Sequence, residues 1–192
     1  MLTYSSWFIG EIAASAFMLA SLYFLQKTDR KSLYLTGLLA GLAFLTKTQM
    51  IPLLIFLVIY LYWYKIEKRY FTLGLLSIAI PYFILKTHYL GIESFYNDYN
   101  FLMTFVNGSG SGYNHRTVHA YLHNGGRLVL DNSGIILIGL LYFKKVKIYK
   151  HLVILCGFFI LFFLFAPYGD RYGLAIIPLI IIILSASYDP IT

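Results

Sequence analysis

Apolar residues in this chain are gathered into seven runs, roughly 5–26, 33–48, 51–64, 70–87, 133–143, 151–166 and 173–187. Several are shorter than the ~20 residues that cross a bilayer without tilt, so their ends must extend into flanking residues or re-enter. Hydrocarbon offers no partner for a backbone N–H or C=O, so every crossing run has to be helical. The pattern predicts an all-α fold: a polytopic transmembrane helix bundle of about seven hydrophobic segments, one domain over 1–192. Pro52, Pro81 and Pro178 are expected to start or kink helices. Gly37 and Gly41 form a G-x-x-x-G step, and Ala13, Ala16 and Ala20 line one side of the first helix. Small residues of this kind let helix backbones approach closely in lipid.

The longest polar stretch, 88–132, reads as an extracytoplasmic loop. Within it, Glu93 to Val106 has helical spacing and many aromatics (Phe95, Tyr96, Tyr99, Phe101, Phe105), which predicts a helix lying at the membrane interface. Asn107 to Gly112 reads NGSGSG, a flexible joint. Asn114 can cap a second short helix ending at Gly125-Gly126.

Composition supports lipid as the solvent. Hydrophobic residues make up 59% of the 192 and charged residues only 12%, about half the share of a soluble domain. The net charge of +7 is distributed as short clusters between apolar runs. That distribution argues for topology control and contact with anionic lipid, and against nucleic acid. Lys27, Arg30 and Lys31 follow the first run, Lys65, Lys68 and Arg69 the third, and Lys144, Lys145, Lys147 and Lys150 the fifth. Seven crossings put all three clusters on one side, the cytoplasmic one by the positive-inside rule. The N-terminus, the loop 88–132 and the turn from Pro167 to Tyr172 then lie outside. An outside N-terminus that begins almost within a helix is expected of the later part of a longer chain. The single cysteine, Cys156, lies in an apolar run and has no partner for an intrachain disulfide.

Phosphate-binding loops of the G-x-x-x-x-G-K-[ST] type, G-x-G-x-x-G after a strand, and C-x-x-C pairs are all missing from the sequence. Candidate chemistry therefore rests on polar groups near the outer face. Lys47 ends the second run, where positive-inside topology does not need it. It either pairs with a phosphate or carboxylate or snorkels to the interface. Glu11 lies about two turns into the first helix, a costly depth unless the carboxylate is paired, faces water, or sits at the outer boundary. Arg171, with Asp170 and Tyr172, opens the last helix; its fork suits phosphate or carboxylate, or a structural ion pair. Arg116 and Arg127 in the loop also suit an anionic substrate. His115, His119 and His123 share a drifting helical face, which is either a wet face or a weak zinc signal. Asp98 and Asp131 are further outer carboxylates, either of which can act as a base or bind a cation. No metal centre is assigned; a divalent cation is the one cofactor left open.

The stretch from Ile9 to Leu53 resembles the membrane-embedded C-type glycosyltransferases, which include protein mannosyltransferases and aminoarabinose transferases. Gly10-Glu11 matches the glutamate that opens a helix in that group, and Gly37 to Lys47 matches its G-L-x-x-G-L-A-x-x-T-K pattern. Arg171-Tyr172 followed by Pro178 is similar to the start of a late helix there. The resemblance covers about a third of the chain. It implies transfer of a sugar from a polyprenyl-phosphate carrier to an acceptor, in a cavity on the outer face of a prokaryotic plasma membrane. It also implies Lys47, Arg171 and then Arg127 as cations on the departing phosphate, with Glu11 on sugar hydroxyls or on a cation. The family's principal catalytic acid sits in a first outer loop that has no counterpart here, so no catalytic residue is assigned; a preceding segment or a partner chain is expected to supply it. Rival readings are a polymerase or ligase of lipid-linked glycans, centred on Arg116 and Arg127, and a non-catalytic membrane or transport protein.

Reporter tags at Lys65–Arg69 and at His115–His123 are expected to report opposite sides of the membrane. A shared compartment would dismantle the outer pocket.

Overall fold

A computed structural model of the chain describes residues 2–106, 126, 150–165 and 177–181. Its elements are all helical: α1 (Leu2–Leu25), α2 (Arg30–Thr46), a 3-10 turn (Thr48–Met50), α3 (Ile51–Trp63), α4 (Lys68–Leu90), α5 (Glu93–Val106) and α6 (Lys150–Phe165). Residues 177–181, which include Pro178, are helical as well. The expected run 133–143 lies outside the described residues, as does most of 173–187. The chain divides into two compact units, Met1–Ile84 and Leu85–Thr192.

In the first unit, α1 buries Glu11, Ala14, Ser15, Met18, Ser21, Leu22 and Leu25. These positions recur at three and four residues, which is one face of a helix. The alanines expected to make the close approach are not on that face: Ala16 is exposed and Ala13 and Ala20 are half-buried. The α1–α2 turn is tight, with Thr28 at a left-handed φ of 53°. Asp29 then caps α2, its carboxylate accepting from the Ser32 N–H at 3.1 Å. Bonds from Ser32, through its hydroxyl first and its N–H second, hold the Asp29 carboxyl below its ordinary value of 3.8. Farther along the hairpin, the buried Ser21 hydroxyl donates to the Thr36 carbonyl at 3.0 Å.

α2 packs on α1 with one face and on α4 with another. Here the glycine step does what the spacing predicts. A side-chain carbon on Gly37 would clash with the Phe71 carbonyl, and one on Gly74 with the Tyr34 carbonyl. The two backbones are therefore in direct contact. Gly41 meets Leu75 and Ile78 farther along. Residue numbers rise together on both sides of this contact, so α2 and α4 run parallel. Their N-termini share one end, where the Arg30 guanidinium lies 5.6 Å from the centre of the Tyr70 ring. The Tyr34 hydroxyl donates to Ser77 Oγ at 3.1 Å across the same seam.

Between them α3 returns the chain. Pro52 stands in its first turn, where a missing N–H costs nothing. Pro81 lies inside α4 without ending it. Pro52, Leu53, Phe56, Leu57 and Leu61 of α3 are buried, yet the outward Ile51, Ile55, Val58, Ile59, Tyr62 and Trp63 are apolar too. α4 is alike, with Leu73, Leu76, Ile80, Phe83, Ile84 and Leu85 exposed. A helix apolar all round needs an apolar surrounding. Among the described residues α4 alone is both long and apolar enough to cross a bilayer by length and composition, and only 11% of its apolar window is buried. The other apolar helical stretches described, Gly10–Leu25, Thr48–Trp63 and His151–Phe162, are shorter.

In the second unit, Gly91 turns the chain at φ 73°, the left-handed position that ends helices. α5 follows over the span its aromatic spacing predicts. Lys86 reaches Asp98 in an ion pair and lies 4.8 Å from the Phe95 ring centre, tying α5 to the end of α4. On α6, Leu155, Cys156 and Phe159 form a buried stripe.

Gly37→Ala is expected to destabilise the protein by about 1–3 kcal/mol, because the added carbon forces two backbones apart. Gly157→Ala on α6, where a side-chain carbon meets nothing within 4 Å among the described residues, is expected to range from neutral to ~1 kcal/mol stabilising. Thermal unfolding of both variants in one detergent checks the contrast; equal effects would refute the close contact.

Candidate functional site

The site begins with the way α2 stops. The Thr46 hydroxyl donates to the Leu42 carbonyl at 2.7 Å. Lys47 then leaves helical geometry, at φ −147° and ψ 115°, while its N–H still donates to the Ala43 carbonyl. A single 3-10 turn follows, closed by the Met50 N–H on the Lys47 carbonyl at 2.9 Å. This corner directs the Lys47 side chain across to α1. Its stem passes Gly10: a side-chain carbon at Gly10 would come within 3.2 Å of Lys47 Cε.

Lys47 Nζ ends 3.6 Å from Glu11 Oε1. Hairpin register produces this meeting. Ser21 follows Glu11 by ten residues and Thr36 precedes Lys47 by eleven, so the Ser21–Thr36 bond and the ion pair are successive rungs of one antiparallel ladder. Glu11 is buried at 7% exposure, and the Lys47 side chain keeps 22%. A buried carboxylate without a cation would be expensive, and Lys47 offsets that cost.

The pair is not saturated. At 3.6 Å it is longer than a charge-assisted hydrogen bond of about 2.7–2.9 Å. Glu11 Oε2 is buried and accepts no hydrogen bond among the described residues. The arrangement thus offers a buried acceptor beside a partly exposed ammonium. Such a pair can take a hydroxyl on the carboxylate and an anion on the amine.

Of the residues expected to bind substrate, Glu11 and Lys47 are brought together. Arg127, Asp170, Arg171 and Tyr172 lie outside the described residues, as do Arg116, the three loop histidines and Asp131. Asp98 is engaged by Lys86, a lysine whose position near the end of an apolar run gave no sign of a partner twelve residues on. No cluster of three or more His, Cys, Asp or Glu side chains suited to a metal occurs among the described residues. A cavity lined by Arg30, Lys31, Tyr34, Leu35 and Tyr70 lies at the opposite, basic end of the hairpin and is not part of this pair. No protein-family model, curated protein or solved structure matches the chain.

Glu11→Gln and Lys47→Met are each expected to lower stability by roughly 1–3 kcal/mol, less than for a fully buried pair because Lys47 keeps water access. The double variant is expected to lose less than the sum of the two. Strict additivity in thermal unfolding would show that the two charges do not interact.

Proposed function

We propose that the chain is a polytopic membrane protein acting in sugar transfer from a polyprenyl-phosphate carrier, with Glu11 and Lys47 in the pocket for that carrier on the outer face. The observation that carries this reading is the Glu11–Lys47 pair, buried and unsaturated at the end of the α1–α2 hairpin away from the basic turns. The outward apolar faces of α3 and α4 support a lipid surrounding. Arg30 and Tyr70 in contact bring two of the basic clusters to one end, in keeping with a single cytoplasmic face. The remaining crossings, the outward orientation and the plasma-membrane location belong to the same proposal.

In the transfer, an acceptor hydroxyl oxygen forms the new bond to the anomeric carbon. The bond from that carbon to the carrier phosphate breaks, and polyprenyl phosphate leaves with the electron pair. The acceptor proton passes to a carboxylate base, which is not assigned to a residue of this chain. Charge grows on the phosphate as the bond breaks, so a fixed ammonium at that point lowers the barrier. Lys47 takes this role, with Arg171 and Arg127 as further cations. Glu11 sets the Lys47 position and offers Oε2 to a sugar hydroxyl.

The test uses the full chain, together with the segment or partner that supplies the base, in proteoliposomes with a labelled polyprenyl-phosphate sugar, following retention of the carrier and transfer of label. Lys47→Ala and Arg171→Ala are expected to lose about a hundredfold, with Lys47→Arg less impaired. Wild-type retention and transfer in both alanine variants would remove the phosphate role.

A further inference from the structure

The basic end of the first unit holds an open surface cavity of about 400 Å³, lined by Arg30, Lys31, Tyr34, Leu35 and Tyr70. Two of its five lining residues, Arg30 and Lys31, are exposed cations. The two tyrosine rings, the leucine and the hydrocarbon stems of Arg30 and Lys31 offer it apolar surface, while long cationic side chains keep their charged ends toward water. Two contacts hold this shape. The Arg30 guanidinium rests by the Tyr70 ring at 5.6 Å, and the Tyr34 ring is fixed through its hydroxyl on Ser77. Beneath both, the glycine contact of α2 with α4 fixes the spacing of the two helix starts.

Neither Arg30, which rests by the Tyr70 ring, nor Lys31 forms an ion pair among the described residues. The nearest acid in sequence, Asp29, is occupied in capping α2. An apolar hollow under a pair of cations is complementary to a molecule with an anionic head and a hydrocarbon tail. We infer that this cavity is a binding site for an acidic phospholipid of the cytoplasmic leaflet. Arg30 and Lys31 hold the headgroup phosphate, and the upper part of one acyl chain lies along Tyr34, Leu35 and Tyr70. Arg30 suits the phosphate particularly, because its planar fork donates two parallel bonds. Free phosphate would satisfy the rim but leave the hollow unfilled, so the site selects the lipid.

This inference rests on the membrane part of the proposed function and is independent of sugar transfer. The experiment is native mass spectrometry of the detergent-purified full chain, titrated with phosphatidylglycerol or phosphatidylcholine. One phosphatidylglycerol is expected to be retained more tightly than phosphatidylcholine. The double variant Arg30→Gln, Lys31→Gln is expected to lose about thirtyfold of that preference. A matched control, Lys27→Gln with Lys68→Gln, removes two charges from the same end without touching the cavity and is expected to lose far less. Leu35→Trp, which fills the hollow and keeps the cations, is expected to weaken retention as well. Equal retention of the two lipids, equal losses in the two double variants, or displacement of the lipid by inorganic phosphate would each overturn the site. Alkaline extraction separates the two claims: release of the chain from membranes would remove the bilayer premise itself, whereas a retained chain without lipid preference would remove the cavity site alone.

Discussion

The register between α1 and α2 governs the chemistry of the first unit. Two antiparallel helices joined by a short turn can meet in many registers, and only one puts a carboxylate on α1 opposite an ammonium at the end of α2. Ser21 selects it by giving its hydroxyl to the Thr36 carbonyl in the buried seam. The charge pair then fits at the far end, where α2 has already broken and Lys47 is free of helical geometry. A slip of one residue would turn the Glu11 face away from α2 and leave a bare carboxylate in an apolar surrounding.

Glycine fixes the second seam. Gly37 and Gly74 let α2 and α4 touch through their backbones, each standing against a carbonyl of the other helix. Contacts of this kind gain from dispersion and from weak Cα–H to carbonyl bonds, and they work without a hydrophobic driving force. They also set where the basic turns fall, since Gly37 and Gly74 stand about equally far from the starts of their helices at Arg30 and Lys68. The ion pair at one end and the cationic rim at the other are thus consequences of two helix-packing contacts.

Much of this was legible in the residues. The helical character of α1 to α6 follows from the apolar runs, and the aromatic spacing from Glu93 to Val106 placed α5. Pro52 marked the start of α3. Glu11 stood out as a charge at a costly depth, and Lys47 as a cation that topology did not need, expected either to pair with a phosphate or carboxylate or to snorkel to the interface. Their pairing with each other was not legible, because residues thirty-six apart meet only through a register that no local pattern specifies. The alanines at 13, 16 and 20 misled for a related reason. Small residues permit close approach, but do not say which face of an apolar helix turns inward.

By itself, the sequence determined that this protein is helical and that its cations gather in the turns, because hydrogen-bond needs and charge placement are local properties. Tertiary structure alone decided which faces are inside. A helix such as α3, apolar on every side, carries no periodicity to reveal its buried stripe. Its orientation, the glycine seam and the meeting of Glu11 with Lys47 come from how whole helices fit together, and fit is a property of surfaces that the order of residues along one helix does not contain.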